Sequence, residues 1–267
     1  MKKKETGAEA FEAYYRDLFG ARWEPLRKAL LEESKQIAFS DGLRKPYYLD
    51  FASVQAARAL PYSASGHCLD MCAAPGGKTL VLLRDVLGKD ALLHANELSL
   101  ARRRRLQEVI KTHLPPEENA RVQISGFDAA RMPRFKRNAY ERILLDAPCS
   151  SERHLLRDQK YLTQWTESRV KSLSRRQWAL ISAAFLLLKP DGFLVYSTCA
   201  LAPQENDMII DKLIKKYGSE VIVEKISQDK LCEPTQFGIQ YLPDTAEGAG
   251  PIYIARIKKS AKPALNS

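Results

Sequence analysis

The sequence predicts an α/β protein: a parallel, doubly wound sheet with right-handed crossovers, behind a small helical N-terminal extension. Three observations predict it. Apolar, β-branched runs alternate with amphipathic segments from Cys68 to Ile257, the pattern of strands joined by crossover helices. The first run opens into a tight small-residue turn, Leu69-Asp70-Met71-Cys72-Ala73-Ala74-Pro75-Gly76-Gly77-Lys78-Thr79, which reads as strand, turn and helix start. Two later runs end in cysteine-bearing strings, Asp146-Ala147-Pro148-Cys149 and Ser197-Thr198-Cys199, where a strand gives way to a loop.

Taken in order, residues 1–60 read as the helical extension. Phe11, Tyr14, Tyr15, Leu18 and Phe19 follow the spacing of one helix face, and Gly20 is a stop. Pro25 suits a first turn; Leu26, Leu30 and Ile37 continue an apolar stripe, and a third short helix is expected at Ser53–Leu60. The main domain is expected over 61–258, with seven strands: Cys68–Met71, Leu92–Glu97, Arg121–Ser125, Arg142–Asp146, Phe193–Thr198, Val221–Lys225 and Ile252–Ile257. The helices between them are Lys78–Leu87, Leu100–His113, Arg169–Leu188 and Gln204–Tyr217, the last ended by Gly218. No helix-sized segment separates the last two strands, which predicts an antiparallel pair at one edge. Residues 259–267 read as a basic, disordered tail.

Composition narrows the class. Of 267 residues 45% are hydrophobic, enough for a full core. The longest apolar stretch, Trp178–Leu188, is too short for the ~20 residues a membrane span needs. Met1-Lys2-Lys3-Lys4 has no apolar segment after it, so neither export nor an organelle leader is expected. Five cysteines, without a Cys-x-x-Cys pair, argue against a disulfide framework and a zinc site and for a reducing cytoplasm. The net charge of +10 is uneven: Arg102 to Arg175 holds 17 Lys plus Arg against 9 Asp plus Glu. That excess points to a polyanion, most often nucleic acid, or to a solubilising surface.

The turn at Cys72–Lys78 admits two readings. Gly77-Lys78-Thr79 fits the end of a phosphate loop, but Cys72 stands where that loop needs glycine. A nucleoside cofactor at the switch point of the sheet is the better reading, because it requires an acid ~20 residues on. Glu97 stands there, and Asp128 follows the third strand. Acids ending strands two and three suit a ribose and an adenine amino group. The cysteines add chemistry. Neighbouring strands lie only ~5 Å apart, so if those two strands are adjacent and parallel, Cys149 and Cys199 open into one crevice beside Asp146. Two thiols and a carboxylate there suit covalent attack on an electrophilic carbon. Spacing alone does not say which thiol attacks.

The run Leu69–Thr79 together with Asp146-Ala147-Pro148-Cys149 and Ser197-Thr198-Cys199 closely resembles the RNA cytosine-5 methyltransferases, including the bacterial Fmu/Sun enzymes of small-subunit ribosomal RNA. The resemblance covers about Tyr47 to Ile257. Phe11-Glu12-Ala13-Tyr14-Tyr15 to Leu31, and Ser150-Ser151-Glu152-Arg153-His154, look most like the compact mitochondrial ribosomal RNA branch; since no leader is expected, a bacterial relative is the more natural expectation. The large N-terminal RNA-binding domain of the longer bacterial enzymes is not expected. The resemblance implies a seven-stranded, Rossmann-like class I methyltransferase fold and S-adenosyl-L-methionine as methyl donor. It places Cys72, Ala73, Ala74, Pro75, Gly76, Gly77 and Lys78 around the methionine end, Glu97 (usually aspartate in the family) on the ribose and Asp128 on the adenine. Asp146 would lie between cofactor and base, with Arg102 on the cofactor side and Lys78 within reach of the base. It makes Cys199 the nucleophile and Cys149 the residue that assists elimination. Cys68 and Cys232 read as small hydrophobes.

The expected partner is RNA, ribosomal in preference to transfer RNA, met as a loop or single strand because the base must leave its stack, either naked or in an assembling ribosomal subunit, by a monomer. Arg102 to Arg105 cannot all face one way; Arg131, Arg134, Lys136 and Arg137 flank the Asp128 loop and are expected at the carboxyl edge, and His154 is shared between an RNA contact and a loop role. The rival enzyme class is a P-loop NTPase. The rival non-enzyme is an RNA-binding or ribosome-assembly factor.

Overall fold

The computed structural model describes residues 7–261. Helices α1 (Ala8–Phe19) and α2 (Trp23–Leu31) form as expected, and Gly20 ends α1 at φ 56°. The extension is not all helical, however. Strands β1 (Gln36–Phe39) and β2 (Tyr47–Asp50) form an antiparallel hairpin before α3 (Phe51–Arg58). The apolar stripe breaks at Glu32, whose backbone is extended, and Ile37 belongs to β1. Four-residue strands are too short for alternation to declare itself against a helical stripe. α3 starts two residues early because the Asp50 carboxylate accepts the Ala52 N–H at 2.8 Å, a good N-cap.

The main sheet takes β3 (Ser63–Asp70), β4 (Leu87–Asn96), β5 (Val122–Ser125), β6 (Tyr140–Asp146), β7 (Leu188–Thr198), β8 (Val221–Glu224), β9 (Glu233–Pro234), β10 (Ile239–Tyr241) and β11 (Ile252–Lys259). The order is β5-β4-β3-β6-β7-β11-β10-β9, with β8 on β11. β3 to β7 are parallel; β11 is antiparallel to β7, β8 and β10. All seven expected strands are present and the last two expected ones do pair antiparallel. β9 and β10 were not expected: at two and three residues they carry no periodicity, and they extend the row that β8 begins.

Between strands lie α4 (Gly77–Val81), α5 (Leu100–His113), α6 (Glu152–Arg157), α7 (Gln159–Thr163), α8 (Glu167–Leu187) and α9 (Asp207–Tyr217). Apolar clusters cover both faces of the sheet. The extension is built into them: Phe39, Leu49 and Val54 join one face, while Phe11, Tyr15, Trp23, Leu26 and Leu30 pack on Leu155, Leu162, Trp165 and Leu201, beside the cysteine loops. The tail begins later than expected. Lys259 is strand, and its buried ammonium donates to the carbonyls of Phe185 (3.2 Å) and Leu188 (2.9 Å) and to Asn138 Oδ1 (3.0 Å). Residues 262–267 lie outside those described.

Candidate active site

The strand order reverses between β3 and β6, the switch point where α/β sheets bind ligands at their carboxyl ends. β6 and β7 are adjacent and parallel, with Asp146 opposite Ser197. Their loops therefore leave side by side, and Cys149 Sγ lies 3.0 Å from Cys199 Sγ. A cleft of about 350 Å³ gathers Cys72, Glu97, Arg102, Asp128, Asp146 and both thiols. A smaller cleft beside it, bounded by Tyr47, Ser53, Lys78 and Asp146, receives Ala73, Ala74, Pro75 and Gly77.

The turn after β3 is shaped by glycine. Gly76 sits at φ 118°, and a Cβ there would meet Val109 Cγ1 at 3.0 Å. A Cβ on Gly77 would meet Tyr47 Cε1 at 2.7 Å, so the hairpin of the extension closes over this turn. The Ala73 N–H is taken by the Asn96 carbonyl at 2.9 Å. Thr79 is buried and donates to Asp70 Oδ2 at 2.7 Å. In a P-loop that hydroxyl would serve magnesium; here it is spent on Asp70. Among the described residues no cluster of acids, histidines and cysteines has metal-binding geometry.

On the cofactor side, Glu97 is buried at the end of β4; one oxygen accepts the Ser99 N–H at 2.9 Å and the other lies 3.4 Å from Arg102. Arg102 also donates to the Ala74 carbonyl at 2.7 Å, so it ties the turn to Glu97. Asp128 is exposed and caps the following turn through Ala130 N–H. These acids, with the exposed ring of Phe127 in the same cleft, fit a nucleoside. Asn96 braces the floor: its Oδ1 accepts Phe127 N–H (2.9 Å) and Ser125 Oγ–H (2.8 Å), and its Nδ2 donates to the Met71 and Phe127 carbonyls.

On the reaction side, Asp146 accepts Lys78 Nζ–H and Ser197 Oγ–H, each at 2.8 Å on a different oxygen. Burial pulls the Lys78 pKa down, but Asp146 more than offsets it and the ammonium is held charged. The two thiols are unequal. The Cys199 pKa is lowered: the Cys149 S–H donates to it, burial opposes, and the Ser151 hydroxyl at 3.2 Å adds a second donor. The Cys149 pKa is raised well above the ordinary thiol value, by that same bond and by burial. The surroundings thus favour negative charge on Cys199 over Cys149, a distinction the spacing did not contain. Burial pushes Cys72 up to about 12, which leaves it an inert thiol.

Behind the thiols lies a buried network that carries no motif. Glu152 accepts from Tyr15 on α1 (2.5 Å), from Ser150 in the Cys149 loop and from Leu201 N–H in the Cys199 loop (3.1 Å). Glu205 accepts Ser150 N–H (3.0 Å) and Gln177 Nε2–H (2.7 Å), and its pKa is pushed up to about 7, chiefly by burial. Sequence reasoning assigned no site role to Ser151, Glu152, Glu205, Asn96 or Phe127; Ser151 and Glu152 stood in the Ser150–His154 string without a role, and Asn96 and Phe127 directly precede Glu97 and Asp128. Lys136 and Arg137 are not at the carboxyl edge as expected. Lys136 Nζ donates to Tyr140 OH and lies 4.5 Å over its ring, at the amino end of β6. The loop crosses the whole sheet height between Asp128 and Tyr140.

Among known proteins the chain is similar to the mouse (Mus musculus) 5-cytosine rRNA methyltransferase NSUN4, 33% identical over 235 residues, covering 82% of this chain and 61% of that protein. It is similar to the mouse mitochondrial tRNA (cytosine(34)-C(5))-methyltransferase, 31% identical over 226 residues, with 81% and 64% covered. The chain thus spans about three fifths of the length of these curated relatives. A methyltransferase homologue from Pyrococcus horikoshii superposes with a TM-score of 0.72 at 21% identity, covering 93% of this chain and 94% of that one, and supports the fold. A family model described as 16S rRNA methyltransferase RsmB/F matches residues 57–258, and the chain therefore belongs to the RsmB/F methyltransferase family.

Proposed function

We propose that this protein methylates carbon 5 of a cytosine in RNA, with ribosomal RNA as substrate and S-adenosylmethionine as donor. The observation that carries the reading is the pair of thiols 3.0 Å apart, one with its pKa lowered by its donors, beside the Lys78–Asp146 pair and in the cleft of Glu97 and Asp128. S-adenosylmethionine, when bound, supplies an electrophilic methyl group; Glu97 and Arg102, Asp128 and the Cys72–Lys78 turn are the residues to hold it. Carbon 5 of cytosine is a poor nucleophile until Cys199 Sγ adds to carbon 6. A C–S bond then forms and the ring's electron pair moves to carbon 5, which can take a methyl group. The carbon 5 proton leaves to a base, the C–S bond breaks and Cys199 departs as thiolate. Cys149 assists that elimination and product release. Lys78 and Asp146 meet the polar edge of the base and stabilise charge that develops on it.

The RNA path is a second cleft of about 350 Å³, which shares Ser151 and Cys199 with the first and adds Ser34, Ser53, His154 and Arg157. Arg157, exposed, is braced by the Leu31 and Glu32 carbonyls of the extension. The five cysteines are free, which suits a reducing cytoplasm. The test is transfer of labelled methyl groups to unmethylated ribosomal RNA, to transfer RNA and to assembling subunits, with wild type beside C199A and C149A. Activity lost in C199A and a covalent protein–RNA adduct accumulating in C149A support the reading. An active C199A refutes the assignment, and labelling of transfer RNA alone replaces the substrate.

A further inference from the structure

Ser151 occupies the N-cap position of α6, where a serine ordinarily turns its hydroxyl back onto the helix. Here it makes no such bond. Its backbone lies at φ 56°, ψ 58°, a left-handed conformation that glycine adopts freely and serine does not. The hydroxyl instead lies 3.2 Å from Cys199 Sγ, with Cys149 O at 3.4 Å and Cys149 Sγ at 3.6 Å. The turn cannot relax, because its neighbours Ser150 and Glu152 are buried and bonded into the network behind the loops. A strained serine that forgoes its capping bond and faces the reacting atom is a residue kept for its side chain.

We propose that the Ser151 hydroxyl is a built-in donor to the Cys199 thiolate, the fixed member of a two-donor cradle whose other member is Cys149. This rests on the reading of Cys199 as nucleophile. Ser151 gives up no proton and forms no covalent bond. It holds negative charge on sulfur before attack and receives the same charge when the C–S bond breaks. The division of labour follows from chemistry: Cys149 has its own part in elimination, so a donor that never changes state is needed to keep Cys199 ionised while that part is played. The other groups facing Cys199 are mixed. Lys78 favours the thiolate; Asp146 and Glu152 oppose it, and Glu205 acts on Cys149. Asp50, Arg153, His154 and Arg157 line the second cleft.

The experiment is alkylation of Cys199 by iodoacetamide as a function of pH, read by peptide mapping on the full chain without RNA or cofactor. Three variants separate backbone from hydroxyl. S151G is comfortable at positive φ but has no donor; S151A is strained and has no donor; S151N tolerates positive φ and carries an N–H donor. S151G and S151A are both expected to raise the apparent thiol pKa by about one unit, the size of a hydrogen bond to a charged group. S151N keeps it near wild type. Methyl transfer by S151G at neutral pH falls roughly tenfold in kcat and recovers as pH rises through the new pKa. A wild-type titration in S151G overturns the proposal, as does a shift in S151A alone, which would mean strain and not a donor. Alkylation needs no RNA, so failure of the functional reading shows separately, as wild type that labels no RNA.

Discussion

Tyr15→Phe tests whether the N-terminal extension is part of the active-site scaffold. The substitution removes one oxygen and leaves the ring in its cage of Phe11, Trp23 and Trp165. What is lost is the bond from Tyr15 OH to Glu152 Oε1, 2.5 Å long and fully buried. A bond to a charged group is worth about 1.5–3 kcal/mol, so the loss should be about 2 kcal/mol. For a chain of this size that is roughly 4–8 °C in Tm. The cost should grow with pH. Burial raises the Glu152 pKa above its unfolded value, so its carboxyl favours the fold below the unfolded pKa and loses that contribution as pH rises through the folded one. Removing a donor raises the folded pKa further, which deepens the loss above it. Since Glu152 also accepts from Ser150 and Leu201, one in each thiol loop, kcat should fall with stability while affinity for S-adenosylmethionine holds. The assays are urea denaturation at pH 5.5 and 8, single-turnover methyl transfer and cofactor titration. Wild-type stability and wild-type kcat in Tyr15→Phe would refute the argument, and so would a penalty that shrinks as pH rises.

Glu152→Gln should cost more than Tyr15→Phe: the amide oxygen can keep Leu201 N–H, but the charge-assisted bonds from both Tyr15 and Ser150 are lost and their hydroxyls must turn to accept, a loss of about 3 kcal/mol or more by denaturation. Gly76→Ala should weaken cofactor binding at least tenfold by calorimetry, because φ 118° and Val109 at 3.0 Å both resist a Cβ. Asp70 is buried with its pKa pushed up to about 7, mainly by burial, so its stabilising contribution is complete below about pH 4 and lost as pH rises through about 7; thermal stability should decline over that window, and Asp70→Asn should flatten the decline. Arg157→Glu should raise the RNA KM and reduce the salt slope of binding by about one, with cofactor affinity unchanged; an unaltered KM would remove the second cleft as the RNA path.

What was legible in the sequence is what repeats or what chemistry requires in one piece. α5 reads to the residue: Ser99 caps its start, Leu106 and Ile110 mark its buried face, and Pro115 follows its end. Glu97 was legible because a strand end, a glycine turn and ribose chemistry fix its distance from Gly77. The hairpin β1–β2, and β9 and β10, were not, since two to four residues hold no period. Glu152 and Glu205 were invisible for another reason. In sequence they are acids on a polar stretch; only the fold, by bringing Ser150, Gln177, Tyr15 and Leu201 around them, turns them into buried acceptors. Lys136 was misplaced because a loop's length does not say which edge it reaches.

The two thiols show why the roles of like residues are decided outside their motifs. Both follow a parallel strand, both are half-buried, and desolvation alone would raise both pKa values. The difference comes from what faces each one. Cys199 has two donors, the Cys149 S–H and the Ser151 hydroxyl, and has Lys78 in its field. Cys149 accepts a backbone N–H from Cys199 at 3.3 Å, has the Ser151 hydroxyl only at 3.6 Å, and backs onto Glu205. The charges around the pair are mixed, with Lys78, Asp146 and Glu152 near Cys199 and Glu205 near Cys149, so the hydrogen-bond donors make the difference. A proton shared over 3.0 Å is for that reason favoured on Cys149, which suits the proposal that Cys199 attacks. Moving Ser151 or Glu205 should shift that balance without touching either cysteine.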